Sequence, residues 1–242
     1  MTMPDILELP GASIRLCRVP AGKFIRGGES SPDERPVESV YLDEYLIGWS
    51  PVTNAQYECF LRDTGHRAPP LRTDEVFGAA DHPVVGVSWY DAVSFCTWAA
   101  EVSGLPVCLP TEAQWERASR GDDGRTYPWG DAPPKPELLN ASDTCGATTP
   151  VGAYGAGDSP FGLTDCMGNV WEWCTDWYAD YDDSTINPSG PDSGSMRTTR
   201  GGSWRSDAFR ATCHHRCMMN PSVRSDRHGF RIAVQPSPED PR

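Results

Sequence analysis

The sequence predicts an α+β domain with about three helices, short strands in mixed sheets and long ordered loops. Three segments begin with helix-start signals and end on glycine, whereas strand-like segments are few and short. Residues 121–200 show no hydrophobic periodicity and contain many turn residues, which favours loops there. No internal repeat or linker divides the 242 residues. We therefore expect a single domain over residues 1–242, with a frayed tail at 236–242.

The three helix-start signals are capping boxes, in which side chains satisfy the free backbone N–H groups of the first turn. They are Thr53 with Gln56, Ser88 with Asp91 (an acidic variant), and Thr111 with Gln114. A glycine follows each predicted helix, where a left-handed residue ends a helix at little cost. These glycines are Gly65, Gly104 and Gly121.

Four segments are strand candidates because β-branched and aromatic residues concentrate in them. They are residues 13–20, 39–49, 198–204 and 229–234. Strands at the two ends of a chain often pair, so we expect the first and last of these to lie side by side.

The charge distribution separates this chain from polyanion-binding proteins. Its formal net charge is −13, so we expect no attraction to nucleic acid or to an anionic membrane. One segment, residues 200–231, is locally basic, with seven arginines against Asp207 and Asp226. Two interpretations stay open: these arginines pair internally with carboxylates, or they form a positive surface on an acidic body.

The cysteine pattern and the first residues predict a cytoplasmic protein. There are nine cysteines, an odd number, and no CxxC motif. The start, MTMPDILELP, lacks the basic and apolar regions of a signal peptide. No segment approaches the roughly 18 apolar residues of a membrane span. We expect reduced thiols that mostly serve as packing residues, including Cys59 and Cys96.

Several phrases together resemble the formylglycine-generating enzymes, also called sulfatase-modifying factors. They follow the family's order and cover nearly the whole chain. They are PAGKFIRGG (20–28), DERPVESVYLDEYLI (33–47), PVTNAQYECF (51–60), HPVVGVSWYDAVSFCTWA (82–99), LPTEAQWERASRG (109–121), YPWG (127–130), GLTDCMGNVWEWCTDWY (162–178), RGGSW (200–204) and GFRIA (229–233). The resemblance implies a C-type-lectin-like fold.

The resemblance also implies structural calcium ions in two loops. Calcium prefers hard oxygen ligands from carboxylates and carbonyls, which both loops contain. The first set is Asn140 and Asp143 with the carbonyls of Ala141 and Cys145; the second is Asp165 and Glu172 with the carbonyls of Gly168 and Val170. The alternative is that these aspartates only cap turns.

The copper site that the resemblance implies is incomplete. Catalytic members oxidise a cysteine of a client sulfatase to an aldehyde, using two nearby cysteines after the GGS-aromatic phrase to hold copper. Counting from Trp204 puts Ser206 and Ala211 at those positions, and counting back from Arg216 puts Ala208 at the second. None supplies the soft thiolate that Cu(I) requires. Copper-dependent formylglycine formation is therefore not expected.

A second cysteine and histidine cluster offers weak catalytic candidates: Cys213, His214, His215 and Cys217. A metal-dependent oxidase or oxygenase of the family with altered ligands is the alternative function. However, Cys213 falls where catalytic relatives have a structural cysteine, and no second cluster completes a zinc site. We expect one buried thiol and exposed imidazoles that point in different directions.

The segment 205–228 also resembles the variable region of diversity-generating retroelement proteins, which lies between GGSW-like and GFR-like phrases. We predict a non-catalytic protein that binds a protein or small-molecule ligand through this segment. The contact residues would be Arg205, Ser206, Asp207, Phe209, Arg210, His215, Cys217, Met218 and Met219. An adenine-rich near-copy of its coding sequence beside a reverse-transcriptase gene would identify the retroelement subclass.

Overall fold

Three helices lie where the capping boxes predict them in the computed structural model, which describes residues 5–235. They are α1 (Asn54–Thr64), α2 (Trp89–Ser103) and α3 (Glu112–Arg120). All three capping boxes are formed, and the predicted glycine follows each helix with a positive φ. The predicted frayed tail, 236–242, lies outside the described residues.

Eleven strands occur within residues 5–235, more than the sequence predicts. They are β1 (Ile6–Leu9), β2 (Ala12–Val19), β3 (Gly22–Arg26), β4 (Glu38–Leu42), β5 (Tyr45–Gly48), β6 (Val107–Cys108), β7 (Trp171–Trp177), β8 (Arg197–Arg200), β9 (Arg216–Met219), β10 (His228–Gly229) and β11 (Ala233–Val234). With three helices, curled sheets and long loops, they confirm the α+β prediction.

The terminal strands do not pair directly as expected, because β5 lies between them. The largest sheet has the order β1-β2-β5-β11-β6, and its strands are antiparallel. Ile47 of β5 is the partner of Cys17 on one side and of Ala233 on the other. The ends of the chain are thus joined through a third strand.

The predicted strand at 39–49 is two strands in different sheets. β4 pairs with β3, whereas β5 joins the large sheet after a break at Asp43 and Glu44. A third sheet has the order β10-β7-β8-β9. Its strand β7 lies in the segment predicted to be loops. The polar residues Glu172 and Asp176 of β7 are buried whereas Trp171 and Trp177 are half-buried, so hydrophobicity does not mark the inward face of the strand.

Two hydrophobic cores cover opposite faces of the large sheet. Leu16 and Leu46 belong to the first core, with α1 and α2, whereas their neighbours Cys17 and Ile47 belong to the second, with α3. Because successive strand residues point to opposite faces, β5 is buried on both sides. Cys59 and Cys96 pack in the first core, and all nine cysteines are free. No helix in residues 5–235 is long and apolar enough to cross a membrane.

Helix α3 is buried along its whole length although it carries several charges. Glu112 accepts two hydrogen bonds from Arg216, at 2.7 and 2.8 Å, and lies 3.3 Å from Arg200. Glu116 accepts hydrogen bonds at 2.7 Å from Arg200 and from Arg120. We call Glu112, Glu116, Arg200 and Arg216 the buried ion-pair cluster.

The cluster holds its charges in a dry environment only because every carboxylate oxygen in it has a cationic partner. Burial alone would raise the pKa of Glu116, but the adjacent Arg200 and Arg120 guanidinium groups bring it below its ordinary value. Arg200 also donates to the carbonyls of Cys213 and His214, at 2.7 and 3.1 Å. The cluster therefore joins α3 to the segment that follows β8.

We predict that Glu116→Gln lowers the free energy of unfolding by roughly 3 kcal/mol or more, because it leaves buried arginine charge uncompensated. Denaturant unfolding at neutral pH measures this change. The matched control is Asp123→Asn, which removes a mostly exposed partner of Arg125 and should cost less than about 1 kcal/mol. Equal losses in the two variants would contradict the role given to the cluster.

Candidate functional site

The segment after β8 begins with two glycines that the backbone requires. Gly201 and Gly202 have φ values of 94° and 81°, which favour glycine, and a β-carbon on Gly201 would lie 2.8 Å from the Cys166 carbonyl oxygen. The chain then reaches a short 3-10 helix at Ala208–Arg210, which Asp207 caps by accepting the Phe209 N–H at 3.0 Å.

The turn at 205–210 places four of the predicted contact residues in solvent: Arg205, Asp207, Phe209 and Arg210. Phe209 is 67% exposed, so its ring is available to a partner. Ser206 is half-buried in the same turn. We call residues 205–210 the contact loop.

The remaining predicted contact residues lie on or next to β9, an edge strand of its sheet. Met218 is 51% exposed, whereas His215, Cys217 and Met219 are half-buried. Met219 packs against the first hydrophobic core. The structure thus exposes only part of the predicted set, namely four residues of the contact loop and Met218.

The two positions that the count from Trp204 assigns to the copper cysteines both lie next to Gly202. The β-carbons of Ala211 and Ser206 lie 3.2 and 3.4 Å from the place where a side chain on Gly202 would begin. Ser206 Oγ accepts the Ser203 N–H at 3.0 Å. These two positions therefore carry a hydroxyl and a methyl group and no sulfur.

The expectation of exposed, diverging imidazoles is wrong for His214. This residue is buried, its ring fills the space beside Gly28, and burial lowers its pKa. His214 and His215 occupy the turn before β9 and not a strand, so both rings face Glu34, at 3.8 and 3.5 Å. Cys213 is fully buried, as expected, and burial raises the pKa of its thiol.

These positions do not assemble a metal centre from Cys213, His214, His215 and Cys217. Within residues 5–235, no group of three or more His, Cys, Asp or Glu side chains is placed to hold a metal ion. A buried protonated thiol such as Cys213 is also a poor nucleophile and ligand. The altered-ligand oxidase therefore gains no support from this segment.

Four of the seven arginines in 200–231 pair with buried carboxylates, as one of the two interpretations proposed. Arg200 and Arg216 belong to the buried ion-pair cluster, Arg231 binds both oxygens of Glu172, and Arg224 donates to Asp91 at 2.7 Å. The others, Arg205, Arg210 and Arg227, are exposed. Arg205 lies 3.9 Å from Asp143 and Arg227 lies 3.7 Å from Asp226, both at the surface. The positive surface is thus smaller than the composition suggests.

The two loops predicted to bind calcium lie against each other. Asn140 and Gly168 form a β-bridge, and Asn169 donates its N–H to the Asn140 carbonyl at 2.8 Å. Asp165 is buried, and burial raises its pKa to about 6. The Asn140 Oδ1 atom is buried without a hydrogen-bond partner among the described residues. An unpartnered buried oxygen near a buried carboxylate fits a hard cation.

Not every predicted ligand fits such an ion. Both Glu172 oxygens are held by Arg231, at 2.6 and 2.7 Å, and one also accepts the Trp115 indole N–H at 2.8 Å. The other predicted ligands stay predictions: Asp143 and Cys145 are exposed, the Ala141 carbonyl accepts the Thr144 hydroxyl, and Val170 is fully buried. Asn140 and Gly168 lie where the two loops meet.

Comparison with known proteins agrees with the motifs. The family described as "Sulfatase-modifying factor enzyme 1-like domain" matches residues 12–236. The formylglycine-generating enzyme of Streptomyces coelicolor is 32% identical, covering 89% of this chain and 88% of that enzyme. The serine/threonine-protein kinase pkn1 of Chlamydia caviae is 36% identical over 89% of this chain, but the chain spans only 37% of that kinase.

Among solved structures, Treponema denticola variable protein 1 has a TM-score of 0.82 and 24% identity, covering 96% of this chain and 98% of that one. At this identity the likeness shows a shared fold. The predicted fold and family are therefore confirmed: the chain belongs to the sulfatase-modifying factor enzyme 1-like family, which includes the formylglycine-generating enzymes.

Proposed function

We propose that this chain is a non-catalytic binding protein whose contact surface lies within residues 205–228. The observation that carries the proposal is that Ser206 and Ala211, the positions counted from Trp204, both lie next to Gly202 and carry no sulfur. A Cu(I) ion prefers soft thiolate ligands, so a hydroxyl and a methyl group leave nothing to hold it. The same segment nevertheless keeps its backbone fixed by left-handed glycines and by the buried ion-pair cluster.

The contact loop has the chemistry of a recognition surface. It exposes two arginines and Phe209 together, and arginine and aromatic side chains dominate binding energy at interfaces. Binding residues commonly lie on loops positioned by a rigid scaffold. The partner is a protein or small-molecule ligand. The shared fold with a variable protein supports, within this proposal, the retroelement subclass.

The free cysteines support a reducing location for this function. None of the nine is in a disulfide, and thiols stay reduced in the cytoplasm. We therefore propose that the protein acts there.

We predict that the purified protein, given copper and O2, converts no cysteine of a thiol-bearing peptide to an aldehyde. Mass spectrometry of the peptide and oxygen uptake measure this directly. The Streptomyces coelicolor formylglycine-generating enzyme is the positive control. Aldehyde formation with O2 consumption would refute the non-catalytic proposal.

A gain-of-ligand variant tests the assignment of the site. Ser206→Cys with Ala211→Cys should bind one additional Cu(I), because two adjacent thiolates then replace the hydroxyl and methyl groups. Ala211→Cys alone is the matched control, since it adds a thiol without completing the pair and keeps the background of native cysteines. Competition with a colorimetric Cu(I) chelator measures both. Equal binding by the single and double variants would show that these positions are not the pair.

We predict that exchange of contact-loop side chains leaves the fold intact. Phe209→Ala and Arg210→Ala should each change the free energy of unfolding by less than about 0.5 kcal/mol, because exposed positions contribute little. The control Cys213→Ala, at a fully buried position of the same segment, should cost clearly more. Denaturant unfolding measures all three. Large losses at Phe209 and Arg210 would mean that the loop has a structural role.

We also propose a structural calcium ion held by Asn140, Asp165 and the Gly168 carbonyl. When bound, it would stabilise the two loops by supplying positive charge to the unpartnered Asn140 oxygen and to the buried Asp165 carboxylate. Glu172 has no part in this reduced ligand set, because Arg231 neutralises it.

Calcium at about 100 times its dissociation constant should raise the melting temperature by about 5–10 °C over chelator-treated protein, since binding to the folded state adds about 2.7 kcal/mol. Thermal unfolding measures the shift. Asp165→Asn keeps the side chain's shape and its bond from the Gly152 N–H, and should abolish the shift. Magnesium is the ionic control, and an unchanged calcium shift in Asp165→Asn would exclude this site.

A further inference from the structure

A cavity of about 370 Å³ opens between α1 and the loop that follows it. This volume lies within the range of small-molecule sites. Leu61 of α1, together with Pro69 and Val84 of the loop, gives it apolar walls, and Glu58 and Arg72 supply charge. It does not include the contact loop, so its function is independent of the surface proposed above.

The charged residues lie at the solvent side of the cavity. Arg72 donates two hydrogen bonds to Glu58, at 2.5 and 2.8 Å, and both side chains are 48% exposed. An exposed pair of this kind contributes only about 0–1 kcal/mol. A ligand that offers a partner to each charge can therefore separate the pair at little cost.

The inner wall is closed by a buried aromatic side chain. Tyr57 lines the cavity and is 1% exposed. Burial raises the pKa of Tyr57, so this wall carries no charge at neutral pH. The charges available to a ligand are therefore those of Glu58 and Arg72.

The wall formed by the loop is already in place. Asn54, at the start of α1, donates its side-chain amide to the carbonyls of Phe77 and Ala79, at 2.7 and 2.9 Å. The Phe77 ring lies 5.9 Å from that of Trp204, in the RGGSW phrase. These contacts fix the loop before a ligand binds. Binding therefore does not carry the free-energy cost of ordering the loop, a cost that would lower the affinity.

The geometry points to a binding site for a small zwitterion with an apolar body, a free apolar α-amino acid being the simplest example. Its carboxylate would bind Arg72, its ammonium group would bind Glu58, and its side chain would lie against Leu61, Pro69 and Val84. A molecule with one charge would satisfy only half of the pair and leave the other half unpaired.

Titration calorimetry with L-phenylalanine and L-leucine tests this assignment on the full chain. We expect at least one of them to bind roughly tenfold or more tightly than analogues that lack one charge, namely hydrocinnamate and phenethylamine for phenylalanine. Glycine, which has both charges but no apolar side chain, should bind more weakly than either amino acid. Failure of both amino acids to bind at millimolar concentration would overturn the proposal, as would equal binding of the one-charge analogues.

Two variants locate the binding. Arg72→Gln and Glu58→Gln should each weaken amino-acid binding roughly tenfold or more. Because both side chains are about half exposed, neither substitution should change the melting temperature noticeably. Arg125→Gln is the matched control, since it removes an arginine from another surface ion pair and should bind as the wild type does. If the Arg72 and Glu58 variants also bind as the wild type, the ligand lies elsewhere and the assignment fails.

Discussion

The buried ion-pair cluster is the constraint on which the rest of the structure depends. Helix α3 is covered on every side, yet it carries Glu112 and Glu116, whose charges require partners inside the protein. Arg200 ends β8 and Arg216 begins β9, so the cluster fixes both ends of the segment between them. Replacement by apolar residues could stabilise such a core as well. The ion pairs, unlike apolar contacts, fix the positions of Arg200 and Arg216, the residues at which the segment starts and ends.

This constraint separates the segment into a fixed frame and an exposed tip. The frame consists of the left-handed glycines, the buried Cys213 and His214, and their carbonyl bonds to Arg200. The tip is the contact loop, whose side chains make few inward contacts. A second ion pair, Arg231 with Glu172, holds the next part of the chain in the same way. Sequence can therefore change at the tip without changing the path of the backbone.

Local signals made the helices predictable, whereas long-range contacts made much of the rest unpredictable. Each capping box lies within four residues, so the sequence alone specifies the starts of α1, α2 and α3. The strand β7 was missed because its buried face carries Glu172 and Asp176, whose partners lie far away in sequence. The prediction that arginines pair internally was right for Arg216, but its partner Glu112 lies far away in sequence.

The same limit applies to the candidate sites. The exposure of Arg205, Asp207, Phe209 and Arg210 agrees with the resemblance of 205–228 to a variable region, while the burial of His214 depends on its contact with Gly28, which no local pattern reveals. The cavity beside α1 was missed entirely, since its wall depends on bonds from Asn54 to a loop without periodicity. The sequence therefore predicted positions in the chain better than it predicted which distant residues meet.

The relation between fold and chemistry in this family depends on very few atoms. The chain is 32% identical to a formylglycine-generating enzyme over nearly the full length of both, and Ser206 and Ala211 both lie next to Gly202. A rigid frame of this kind serves catalysis, which needs ligands held in fixed geometry, and equally serves recognition, which needs a preorganised surface. Overall similarity cannot distinguish the two functions, because both require the same frame. In the function proposed above, the side chains at positions 206 and 211 make the difference, since only sulfur there would support copper chemistry.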